Sequence, residues 1–162
     1  MERLWAPWRM EYIMAKKTEG CIFCVEWEGT ADREKLLLYR STNSFVMLNR
    51  YPYTNGHLLV VPFRHAADLD ELDEVELLDL MNTVRLSRRV LDLASAPQGY
   101  NIGMNLGKAS GAGVDEHLHF HIVPRWNGDT NFMSVLSEVR VMPEALLTTY
   151  ERLKPLFIQA PP

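Results

Sequence analysis

Positive charge is in short supply in this chain. Lys and Arg number 17 against 21 Asp and Glu, a formal net charge of −4, and general nucleic-acid affinity needs a basic face. Long apolar runs are missing as well: nothing approaches the ~20 residues that span a bilayer, and the N-terminus has no apolar core of a secretory leader. A cytoplasmic protein that binds neither membrane nor nucleic acid is expected. Cysteine is rare, at two residues, too few for a disulfide framework, and a reducing compartment disfavours joining them. Histidine is rare too: the chain has five, and His117, His119 and His121 are three of them.

What is present suits a globular chain. Hydrophobic residues make up 47% and charged residues 23% of 162 positions, enough for one domain over 1–162 with its own core. Strands are expected at 35–39, 44–49, 57–62, 99–105 and 117–124, where β-branched and aromatic residues cluster. A long amphipathic helix is expected over 70–94, its stripe drawn from Leu72, Val75, Leu77, Leu78, Leu80, Met81, Val84, Leu86, Val90, Leu91 and Leu93, with Asp68 or Asp70 as its N-cap. Pro143-Glu144 opens a second helix reaching 157 or 158. Asn55-Gly56 marks a loop between strands. Five strands with one helix between the third and fourth read as an α+β fold built on an antiparallel five-stranded sheet. An N-terminal segment over 1–30 precedes a core over 35–130, and no repeat or linker interrupts it.

His117-Leu118-His119-Phe120-His121-Ile122-Val123-Pro124 carries most of the functional signal. Alternation with a period of two puts the three imidazoles on one strand face and Leu118, Phe120 and Ile122 on the other. Adjacent histidine Cα atoms then lie roughly 6.6 Å apart and the outer pair roughly 13 Å, so three ligands to one zinc ion would be strained. A division of labour fits better. A neutral imidazole is a competent nucleophile toward phosphorus when a carbonyl holds its other nitrogen in the right tautomer. Ahead of the strand, Asn101 to Gly107 reads as another strand, followed by a small-residue loop with Lys108, Ser110, Gly111 and Gly113. Such loops let backbone N–H groups approach an anion. Arg50 and Lys108 would supply local positive field.

With these residues the chain resembles the histidine triad (HIT) superfamily, whose mark of three histidines alternating with apolar residues is matched from His117 to Val123. Two preceding strands match as well, through Ser44 to Arg50 followed by Pro52 and through Asn55 to Pro62, as do Met104-Asn105 and the glycine loop. The Trp5 and Trp8 region and the stretch from Pro124 to Phe132 are similar to a bacterial branch acting on diadenosine tetraphosphate. The resemblance implies a nucleotidyl hydrolase or transferase that works through a nucleotidyl-histidine on dinucleoside polyphosphates or AMP conjugates. It makes His119 the nucleophile and sets His121 on the α-phosphate or leaving group. Asn49 would hold the ribose, Asn105 and the amides at Gly111 and Gly113 the phosphates, and His57 would support the triad. Where several relatives carry Ser or Thr before the triad, this chain has Gly111-Ala112-Gly113-Val114, which leaves Ser110 as the neighbouring hydroxyl.

Cys21-Ile22-Phe23-Cys24 lacks the βαβ setting of a redox motif, and its spacing suits two thiolates on one metal ion. His65 and His117 are the candidates to complete a zinc site, and the resemblance implies that set of four: Cys21, Cys24, His65 and His117. Four protein ligands would make such a site structural; otherwise the pair are reduced thiols. Mg2+ would enter only with the nucleotide. A homodimer is expected, its sheets meeting near the fourth strand and its tryptophans packing around each active site. Two other functions compete: a metal-dependent hydrolase using the triad as three zinc ligands, and a non-catalytic nucleotide-binding adaptor.

Overall fold

The structure is a computed structural model, and it describes residues 20–24, 31–111, 113–129 and 143–160. In chain order the elements are α1 (Asp32–Lys35), β1 (Leu37–Arg40), β2 (Ser44–Leu48), β3 (Leu58–Pro62), α2 (Glu74–Ser95), β4 (Gly99–Met104), β5 (Phe120–Arg125) and α3 (Leu146–Gln159). Short 3-10 turns lie at Leu69–Glu71 and Lys108–Ser110. The strands form one five-stranded sheet in the order β1-β2-β3-β5-β4, antiparallel at every pairing. The expected α+β class and antiparallel sheet are what the chain adopts. No helix among the described residues is long and apolar enough to cross a membrane.

β3, at the centre, is buried at all five positions, because both sheet faces are covered. On one face Leu58 and Val60 join Val46, Leu48, Leu118 and Ile122 beneath α2 and α3. On the other, Leu59 and Val61 meet Leu37, Phe45 and Phe23 in a smaller cluster. Leu59 pairs with His121 across the β3–β5 ladder, and directly paired residues share a face. The histidines therefore occupy the face away from the helices, with Leu118 and Ile122 in the helix-side core, as the alternation predicts.

Four expectations need correction. The histidine strand starts at Phe120 rather than His117. Its ladder with β3 ends at Val60–Phe120, since Pro62 has no N–H to continue it, and the Leu118 N–H bonds the Ala66 carbonyl instead. The long helix begins at Glu74, after its own turn. Asp73 and Glu76 form a reciprocal cap there, and Asp68 and Glu71 form another around the 3-10 turn, so neither Asp68 nor Asp70 caps α2. The apolar stripe is also narrower. Leu80, Val84, Leu86, Val90 and Leu91 are buried, whereas Val75, Leu78, Met81 and Leu93 face solvent. Thr83 and Ser87 take buried positions instead; Ser44 Oγ lies 2.9 Å from Thr83 Oγ1, and the Ser87 hydroxyl donates to the Thr83 carbonyl at 2.8 Å.

α3 starts at Leu146, later than Pro143-Glu144. Glu144 precedes it and accepts hydrogen bonds from Thr149 and Arg152. Arg152 also donates to the Ala94 carbonyl near the end of α2, which locks the two helices together. The other strand boundaries fall within about two residues of expectation, the usual fraying of element ends.

Candidate active site and metal centre

Four imidazoles stand in a row along the sheet face away from the helices, and each has at least one ring nitrogen committed. His119 Nδ1 lies 2.8 Å from the His117 carbonyl, an acceptor only, so Nδ1 carries the proton and Nε2 keeps its lone pair. The Tyr53 backbone N–H donates to His57 Nδ1 at 3.1 Å. His57 must then carry its proton on Nε2, which donates to His121 Nδ1 at 2.9 Å. That leaves His121 with its proton on Nε2, a buried atom without a partner among the described residues. The His119 and His121 rings are 4.9 Å apart, edge to face. A lone pair on one ring thus adjoins a spare donor on the next, the two functions an attack on phosphorus needs.

All these rings are held neutral. Burial, with the neighbouring His121 and His119, lowers His57 to about 3, and burial with His119 lowers His121 to about 4. Burial lowers His119 too, opposed by its bond to the His117 carbonyl. Neutrality matters because only the unprotonated imidazole is a nucleophile.

Asn49 reaches the same group. Its Nδ2 lies 3.3 Å from His57 Nδ1, and its Oδ1 accepts from the Tyr51 N–H at 2.9 Å. Asn105 is one residue beyond the last β4–β5 pair, Met104–Phe120, and shares its face with Gly103, the cross-strand partner of His121. A Cβ built on Gly103 would meet nothing within 4 Å, so there is open space beside the His121 ring. The loop holding Gly111 and Gly113 follows, with Gly107 and Gly111 at φ 74 and 81, a region where a side chain would be strained. The Ser110 hydroxyl donates to the Gly107 carbonyl at 2.6 Å, which directs it to its own turn. Two cavities of about 430 and 440 Å³ have no triad residue in their lining; the first borders His65 and Lys108, the second Arg50 and Asn55.

The second constellation sits at the far end of the histidine row. Cys24 Sγ lies 3.0 Å from His65 Nδ1 and 3.4 Å from His117 Nδ1, with Cys21 Sγ 3.3 Å from the same His117 nitrogen. One donor atom from each residue falls within 4.8 Å of all the others. His117 Nε2 donates to the Pro62 carbonyl at 2.9 Å, so its Nδ1 lone pair is presented to the sulfurs, the outer-shell arrangement of a metal-bound imidazole. Burial and the Cys21 sulfur push the Cys24 thiol up, a repulsion that a cation between the sulfurs would relieve. Among the described residues this is the one such group of three or more donors. The three triad rings form none, since the Nδ1 atoms of His117, His119 and His121 face three different partners.

Sequence reasoning missed three contributors. Phe23, 2% exposed, packs against both His117 and His119, and its place between the two cysteines was the available signal. Tyr53 stacks on His121 with an interplanar angle of 14°. Gly103 is visible only through strand pairing. Of the aromatics expected at a dimer contact, Trp5, Trp8 and Phe132 lie outside the described residues, while the Trp126 ring N–H donates to the Ser95 carbonyl of its own chain.

Comparison with known proteins sets this geometry in context. A family profile described as HIT domain matches residues 30–128. An AP-4-A phosphorylase of Mycobacterium tuberculosis is 37% identical over 157 residues, covering 92% of this chain and 80% of the relative. The adenosine 5'-monophosphoramidase hnt1 of Schizosaccharomyces pombe is 34% identical over 108 residues, 67% of this chain and 76% of the relative. Among solved structures, a Zn-bound histidine triad family protein from Mycobacterium smegmatis superposes with a TM-score of 0.65 at 27% identity, over 86% of this chain and 94% of that one.

Proposed function

Since the chain belongs to the histidine triad (HIT) family, we propose that it is an enzyme cleaving dinucleoside polyphosphates by nucleotidyl transfer through His119. The observation that carries this reading is the pair of adjoining rings, His119 with its Nε2 lone pair and His121 with an Nε2–H unpartnered among the described residues. His119 Nε2 attacks the α-phosphorus, forming an N–P bond as the bridging P–O bond breaks. The His121 Nε2–H donates to the departing or a non-bridging oxygen, where charge develops. Water or inorganic phosphate then displaces the imidazole and releases AMP or ADP. Asn49 binds the ribose, and Asn105 with the amides at Gly111 and Gly113 binds the phosphates. His57 and the Tyr53 N–H keep His121 in its donating tautomer. The named activities of the Mycobacterium and Schizosaccharomyces relatives support this substrate class.

Cys21, Cys24, His65 and His117 would hold a zinc ion. A set of two sulfurs and two nitrogens suits zinc, and four protein ligands leave no position for water, so the ion would supply folding energy rather than Lewis-acid chemistry. The Zn-bound neighbour supports the choice of metal. A homodimer also belongs to this reading. β4 is a sheet edge of six residues with neither Pro nor charge, and its Ile102 is 42% exposed; unprotected edges of this kind invite pairing.

Product analysis with diadenosine tetraphosphate tests the activity. ADP and ATP formed only with phosphate identify a phosphorylase, and AMP with ATP a hydrolase; intact substrate under both conditions overturns the proposal. His119→Ala is expected to lose at least about three orders of magnitude in kcat, as expected for a covalent nucleophile, while still binding nucleotide. A variant keeping a tenth or so of wild-type kcat would remove His119 from this role.

A further inference from the structure

The two constellations are joined by a ring as well as by a strand. Cys21 to Cys24 form a tight turn closed by the Cys24 N–H on the Cys21 carbonyl at 3.1 Å, with the Phe23 N–H directed to Cys21 Sγ at 3.4 Å. That turn sends Ile22 outward, 51% exposed, and Phe23 inward, 2% exposed. The Phe23 ring lands among Leu37, Phe45, Leu59 and Val61 on the histidine face. There it lies 5.6 Å from the His117 ring, edge on, and 4.9 Å from the His119 ring, tilted by 49°. Among the described residues His119 also makes a hydrogen bond from Nδ1 and meets the His121 ring edge to face. A hydrogen bond at Nδ1 limits rotation about Cβ–Cγ yet tolerates some tilt of the imidazole plane. Rotamer wells of this terminal bond are broad, so packing has to choose the angle.

Resting on the nucleotidyl-transfer reading above, we propose that Phe23 is a positioning residue. Carried by the metal-binding turn, its ring walls the His119 imidazole into the orientation from which Nε2 attacks. A metal held by Cys21, Cys24, His65 and His117 would then bear on turnover through this ring, not through the reacting atoms. A metal ion holding Cys21 and Cys24 together would brace the turn, the turn carries Phe23, and Phe23 walls His119. Binding of the nucleotide itself, through Asn49 and the loop amides, does not involve Phe23.

The variants Phe23→Ala and Phe23→Leu test this in full-length protein loaded with zinc. Phe23→Ala leaves every metal donor in place. It is expected to retain zinc and lose at least about tenfold in kcat on diadenosine tetraphosphate, with KM changed less than about threefold, since a small misplacement of a reacting group is costly to the chemical step. Phe23→Leu refills the space and is expected to recover kcat to within about threefold of wild type. Ring-nitrogen NMR gives a readout independent of activity: wild-type His119 shows a single Nδ1–H tautomer, and Phe23→Ala shows averaged nitrogen shifts. Three outcomes overturn the proposal: wild-type kcat in zinc-loaded Phe23→Ala, a deficit that vanishes on adding zinc, or no recovery in Phe23→Leu. If Phe23→Ala does not fold, Phe23→Val is read by the same criteria. If the wild type proves inactive on this substrate, the function falls, and the NMR comparison alone decides Phe23: unchanged His119 shifts refute it.

Discussion

His57 has no solvent exposure. Its Nδ1 takes the Tyr53 N–H and its Nε2 points at His121, so a second proton on the ring would face a donor with nowhere to go. The folded residue accordingly titrates near 3 where the free side chain titrates at 6.5. The unfolded chain therefore takes up this proton first. Its contribution to stability is flat above pH 7 and falls as pH drops through 6.5, at about 1.4 kcal/mol per unit, levelling near the folded value. Urea unfolding of wild type is expected to lose about 2 kcal/mol more than His57→Gln between pH 7 and pH 5. Parallel pH profiles for the two proteins would show that His57 is not the group responsible. The same burial keeps His57 from acting as an acid at neutral pH, which suits a residue that orients His121 rather than one that transfers protons.

At the scale of elements, the turn over Cys21 to Cys24 is short and largely unpaired, tied to the sheet by Phe23 and by its sulfurs. It has no ladder partner and joins the fold through side chains from two distant segments, at His65 and His117. Metal binding is then folding energy. A site saturated a thousandfold above its dissociation constant adds about 4 kcal/mol, roughly 10 °C in Tm for a chain of this size. Cys21→Ser, or chelation of the wild type, is expected to remove the metal and lower Tm together. A Cys21→Ser protein as stable as wild type, from a preparation containing no metal, would leave the four side chains as thiols and imidazoles in contact. α2 and α3 contribute differently. They cover the opposite sheet face and lock to each other through Arg152, so the histidine face is held from behind.

For the whole molecule, the decisive feature is the β4 edge, which no other described strand covers. β4 pairs with β5 on one side only, and its last residue leads into Asn105 and the glycine loop. Pairing two copies through β4 would join their sheets about a two-fold axis, the commonest soluble assembly, and would bring two sites near one interface. Light scattering at micromolar concentration is expected to give twice the mass of one chain. A single-chain mass would leave β4 an exposed edge and remove the partner from any account of the site.

The sequence by itself determined the local facts. A two-residue period put His117, His119 and His121 on one face because a strand alternates, whatever it packs against. The four-residue cysteine spacing brought two sulfurs together because a turn that short has little choice. Tertiary structure decided everything that depends on partners far along the chain. His57 meets His121 only because β3 and β5 pair in the register Leu59–His121. The strand starts at Phe120 only because Pro62 ends its neighbour's ladder. Phe23, like the hydroxyls of Thr83 and Ser87, is buried by contacts no local pattern encodes. Tautomers are the clearest case: which nitrogen of each histidine carries the proton was set by the Pro62 and His117 carbonyls and the Tyr53 amide. Backbone groups of that kind are the same at every position, so only folding can say which of them a given ring will meet.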